Sequence, residues 1–116
     1  MAVGPDQGAF LGWLVETLGA EKAIEVGVFT GYSSVCIGLA LKQRGGVLYA
    51  LDRDAKAMGV ARGYWERFGL EGTVEGVCGD GLVGLERVLE REGAGSIDFA
   101  FVDADKRGYM GYGTNR

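Results

Sequence analysis

The chain has no histidine. That removes Ser-His-Asp and Cys-His nucleophilic catalysis and every His-ligated zinc site. There is one proline, Pro5, placed where a first helix would begin. The two cysteines, Cys36 and Cys78, lie far apart and are expected to be buried thiols of a reducing compartment, not a disulfide. No apolar run approaches the ~20 residues that cross a bilayer. The first ten residues lack the basic start and long apolar core of a secretory signal; a cytoplasmic location is expected, or an organellar one if an N-terminal segment is missing. With a net charge of -4 and scattered Lys and Arg, the chain offers no basic stripe. Neither a nucleic acid nor a membrane is therefore an expected partner.

What is present fits one folded domain spanning residues 1–116, with 47% hydrophobic and 24% charged residues. Glycine is abundant, at 22 of 116 residues. Gly38, Gly59, Gly63 and Gly84 fall inside expected helices, where each costs roughly 1 kcal/mol relative to Ala. Most of this excess reads as compositional bias.

The hydrophobic spacing predicts helices over 6–18, 33–41, 54–68 and 82–92, and strands over 22–26, 47–51, 74–78 and 97–102. Phe10, Leu11, Leu14, Val15 and Leu18 mark the apolar face of the first helix; Leu82, Leu85, Val88 and Leu89 mark that of the last. Asp54 is the expected cap of the third helix, and Gly69 ends it. Alternating strands and helices indicate an α/β fold: a doubly wound parallel sheet with helices on both faces. The last strand would leave an unpaired apolar edge.

Ligands of such sheets bind beyond the carboxyl ends of the strands, where the strand order reverses. Four features fall there: Glu25 to Gly31, Asp52, Gly79-Asp80-Gly81, and Asp103 to Lys106. Glu25 suits cofactor hydroxyls or an amine. Gly27 and Gly31 permit positive φ and close approach of a ligand to backbone. Ser33 either donates to a ligand carboxylate or caps its own helix. Asp52, at a strand tip, suits a ribose diol. Asp103 and Asp105 could supply a hard-cation ligand and a partner for a cofactor amine, and Lys106 a base. Tyr109 and Tyr112 could stack near the cofactor. Cys36, Trp13 and Trp65 read as structural. The first loop reads E-x-G-x-x-x-G, not G-x-G-x-x-G, which favours a cofactor without a pyrophosphate, such as S-adenosylmethionine, over NAD. An NAD-linked oxidoreductase and an inactive cofactor-binding remnant stay open as alternatives.

Glu25-Val-Gly-Val-Phe-Thr-Gly-Tyr-Ser33 and Phe101-Val-Asp-Ala-Asp-Lys-Arg-Gly-Tyr109 together resemble the class I, cation-dependent O-methyltransferases of the caffeoyl-CoA O-methyltransferase type. The resemblance implies a Rossmann-like methyltransferase fold of which the chain carries the first four strands. It also implies S-adenosyl-L-methionine as methyl donor, a phenolic acceptor, a divalent cation (magnesium in most of the family) and a homodimer in complete enzymes. Carried over by position, the cofactor residues are Glu25, Gly27, Val28, Ser33, Asp52, Gly81 and Asp105. Asp103 is the implied cation ligand and Lys106 the implied catalytic base. Met1 and Val3 align with a cofactor-contacting segment, where Val3 replaces a usual hydroxyl residue. Family elements that precede Met1 and follow Arg116, including an Asp-Asn metal-ligand pair, imply a truncated chain.

Overall fold

The computed structural model describes residues 5–27 and 31–102. Its order is α1 (Pro5–Leu18), β1 (Lys22–Val26), α2 (Tyr32–Lys42), β2 (Val47–Asp52), α3 (Ala55–Arg67), β3 (Val74–Cys78), α4 (Gly81–Glu92), a short 3-10 turn (Ala94–Ser96) and β4 (Phe99–Val102). All pairings in the sheet are parallel, in the order β3-β2-β1-β4. The chain thus winds outward from β1 to β3 and then returns to the other side of β1. The reversal lies between β1 and β4, and the crevice such a reversal opens lies at the carboxyl end of β1.

Strand alternation divides the core. Ala23, Leu48, Ala50 and Val74 pack against residues of α1, α2 and α3, among them Val15, Ile37, Leu41, Met58 and Trp65. Ile24, Val26, Tyr49 and Leu51 turn to the opposite face and meet Val88 of α4. Helices therefore cover both faces, as the alternating pattern requires. β4 pairs with β1 alone among the described residues, and its side chains are half-buried and exposed in turn. It begins two residues later than its apolar run suggests, because the 3-10 turn and Asp98 intervene. The Asp98 carboxylate accepts from the Glu21 and Lys22 amides and so pins the start of β1.

Several expectations change. The glycine excess is in part a packing requirement. A Cβ at Gly8 would stand 2.8 Å from Cys36 Sγ, and one at Gly38 3.1 Å from Leu70 and Val74. At Gly76 it would meet Met58 Cε at 2.7 Å. Gly59 and Gly63, by contrast, have open space around them. The cysteines are free but not buried: Cys36 is half-buried and Cys78 exposed. Trp13, Phe10, Leu18 and Leu82 are exposed, Trp13 lying 5.8 Å from Phe10. The apolar stripes of α1 and α4 are thus narrower than the sequence periodicity suggests, with Leu11, Val15 and Val88 forming the buried part.

Candidate functional site

The rim is built from the ends of β1, β2 and β3. β1 runs into Gly27, whose φ of 88° is a left-handed conformation and whose amide donates to Leu51 O at 2.8 Å. Gly31, also left-handed at φ 87°, is the residue from which α2 starts. A Cβ there would lie 2.9 Å from Ala61 Cα, so α3 packs on bare backbone. Asp52 ends β2. Its Oδ1 accepts from the Asp54 amide at 2.8 Å, and its carbonyl accepts from Gly79 N at 2.9 Å, which ties the second rim loop to the third.

The helices that follow the strands start differently. Asp54 caps α3 by accepting from the amides of Lys56 and Ala57, and Asp80 caps α4 by accepting from those of Leu82 and Val83. At α2 the cap residue is a glycine with no side chain to offer. The positive end of the α2 dipole therefore meets no capping side chain, the arrangement that receives carboxylates and phosphates.

Glu25 is not a solvated strand end. It is fully buried, on the face of β1 that meets α2, in register with Ala50 of β2 and Phe101 of β4. Its Oε2 accepts a hydrogen bond from the Ser33 hydroxyl. Ser33 is likewise buried and does not cap its helix. A buried carboxylate is retained where donors hold it, and this pair joins the end of β1 to the first turn of α2. Burial pushes the Cys36 thiol above its ordinary pKa. The Tyr32 hydroxyl opposes that shift, and the Glu25 charge adds to it. Cys36 is thus kept as a thiol, not a nucleophilic thiolate.

The structure brings Glu25, Gly27, Ser33, Asp52 and Gly81 to one end of the sheet. Gly81 is buried as the first residue of α4. Val28, Asp103, Asp105, Lys106, Tyr109 and Tyr112 lie outside the described residues, as do Met1 and Val3. Among the described residues no group of three or more His, Cys, Asp or Glu side chains could hold a metal ion, and no helix is long and apolar enough to cross a membrane.

The sequence profile of the family described as "O-methyltransferase" matches residues 1–115. The chain belongs to this O-methyltransferase family. It is 40% identical over 116 residues to Tricin synthase 1 of Oryza sativa subsp. japonica, covering 97% of this chain and 46% of that protein. It is 37% identical over 112 residues to the caffeoyl-CoA O-methyltransferase of Populus kitakamiensis, covering 97% and 47%. The crystal structure of the Bacillus cereus O-methyltransferase in complex with SAH superposes with a TM-score of 0.80 at 37% identity, covering 90% of this chain and 47% of that one. The chain therefore spans about half the length of the curated relatives it matches. Its sheet and helices are the Rossmann-like methyltransferase fold that the two motifs imply.

Two roles go beyond the sequence analysis. Asp80, there a member of the third rim loop, is the cap of α4, a role that an Asp before a helical run signals. Ser34, adjacent to Ser33 but turned to α3, carried no separate signal.

Proposed function

We propose that the chain holds S-adenosyl-L-methionine at the crevice beyond β1 and belongs to an enzyme that methylates a catechol-type hydroxyl of a phenolic acceptor. The observation that supports this most is the meeting of Glu25, Gly27 and Asp52 at the carboxyl ends of β1 and β2, next to the reversal of strand order and beside a helix start with no side-chain cap. The site residues fit such a cofactor: bare backbone at Gly27 and Gly31, first-turn amides of α2 for a carboxylate, and a carboxylate at the next strand tip for a diol.

When bound, the cofactor supplies a methyl group on a positively charged sulfur. Asp52 accepts hydrogen bonds from the two ribose hydroxyls. The Glu25–Ser33 pair fixes the loop against which the methionyl portion lies, with Val28 in that loop. Gly81 leaves room beside the adenine, and Asp105 receives the methionyl amine. Lys106 Nζ, as the neutral amine, would take the proton of the acceptor hydroxyl while the methyl–sulfur bond breaks and the methyl–oxygen bond forms, with S-adenosylhomocysteine as the leaving group. Holding donor and acceptor in line supplies most of the acceleration in a displacement of this kind. We further assign Asp103 as a ligand of a divalent cation. The described residues provide no cluster that fits one, and no step above runs through it.

Incubating the chain with S-adenosylmethionine and caffeoyl-CoA, with and without magnesium, tests the reading by mass spectrometry. A singly methylated product is the expected result, and any dependence of its yield on magnesium tests the Asp103 assignment. Cofactor binding without any methylated product would overturn the transfer assignment and leave a cofactor-binding remnant.

A further inference from the structure

Behind the rim lies a buried chain of hydrogen bonds that the cofactor residues do not include. Trp65, on the inner face of α3, donates from its indole Nε1–H to Ser34 Oγ at 2.7 Å. The Ser34 hydroxyl in turn donates to the Gly31 carbonyl at 2.8 Å. Both side chains are buried, Ser34 completely. The direction is fixed, because an indole N–H can only donate, and Ser34 must then use its own hydrogen on the carbonyl. That carbonyl also accepts the Val35 amide at 3.0 Å, the bond that begins α2. Four residues before Trp65 on the same helix, Ala61 presses on Gly31 where a Cβ would not fit. α3 also begins just after Asp52 and is capped by Asp54. One helix thus joins the Asp52 strand tip to the left-handed glycine that starts α2.

We infer that Trp65 is a positioning residue for the cofactor loop: through Ser34 it holds the Gly31 carbonyl, and with it the orientation of the first turn of α2. Cofactor affinity then depends on an indole N–H buried in the core, away from the rim. This inference rests on the proposed cofactor site. A purely structural Trp65 would influence unfolding alone. A positioning Trp65 also changes the affinity of molecules that are fully folded.

The test is calorimetric titration of S-adenosylhomocysteine into the chain and its Trp65→Phe variant, with folding of each checked by two-dimensional NMR. Phe keeps a large apolar ring and removes the donor. Losing one buried hydrogen bond that acts on the loop is expected to weaken binding about threefold to tenfold. Ser34→Thr and Ser34→Val provide a matched pair, since both add a methyl group and only Thr keeps the hydroxyl; Thr is expected to bind more tightly. Equal affinities of wild type and folded Trp65→Phe would overturn the inference and leave the cofactor site intact. A folded wild type that does not bind would instead remove the cofactor reading, and the inference with it. Should the variants not fold, the wild-type indole resonances decide. S-adenosylhomocysteine is expected to shift the Trp65 N–H signal and leave that of exposed Trp13 in place; an unmoved Trp65 signal would overturn the inference.

Discussion

Ser33, in the first turn of α2, donates its hydroxyl hydrogen to the carboxylate of Glu25 at the end of β1, with both side chains buried. Strand, loop and helix are thus joined at the point where a ligand would enter. Ser33→Ala would leave a buried carboxylate without that donor, at a cost of about 1–3 kcal/mol. Urea unfolding should show the loss, with the midpoint lowered and the slope unchanged. Glu25→Gln, which keeps the shape and removes the charge, should destabilise less.

Gly31, at the α2–α3 contact, and the exposed glycines of α3 should respond in opposite ways. Gly31→Ala places a side chain on a left-handed backbone, 2.9 Å from Ala61 Cα, and should destabilise by about 1–3 kcal/mol. Gly59→Ala and Gly63→Ala, in open space on α3, should each stabilise by about 0.5–1 kcal/mol. Thermal unfolding of the three single variants checks the signs. A stabilising Gly31→Ala would contradict the loop conformation.

The opposite end of the sheet carries an acid-sensitive network. Glu92 accepts from Lys22 at 2.7 Å and from the Tyr49 hydroxyl at 2.6 Å. The Lys22 hydrogen bond, then that of Tyr49, holds the Glu92 carboxyl below its ordinary pKa. A carboxylate depressed in the folded state contributes stability above its unfolded pKa and loses it as the pH falls through the folded value. Lys22 is raised, chiefly by Glu92, so its contribution is lost only as the pH climbs through its folded pKa. Urea midpoints measured from neutral pH into the acid range should therefore fall less steeply for Glu92→Gln than for wild type. Parallel curves would mean that the pair adds nothing in solution.

The order of elements was legible because each strand is a short apolar run and each helix has a 3.6-residue pattern. Asp54 caps α3 with its carboxylate and Gly69 ends it in a left-handed conformation, as each residue type predicts. The rim was legible because Glu25, Gly27 and Asp52 lie at the carboxyl ends of strands. Other features were not, since they depend on partners distant in sequence. Nothing near Glu25 signals full burial, which comes from α2 closing over it. Nothing in Trp65 signals its bond to Ser34, 31 residues away. Gly38 and Gly76 read as bias until Leu70, Val74 and Met58 are seen against them. Leu18 and Leu82 read as core by periodicity, whereas the packed stripe of their helices is too narrow to reach them.

The most direct test of the account is calorimetric titration of S-adenosylhomocysteine into the chain and into Asp52→Asn. Asn can still accept from the Asp54 amide but lacks the charge and the second acceptor oxygen that a ribose diol requires. The account predicts saturable one-site binding to the wild type, weakened about tenfold or more in the variant by the loss of charge-assisted hydrogen bonds. A folded wild type that does not bind, or an Asp52→Asn variant that binds equally well, would contradict it.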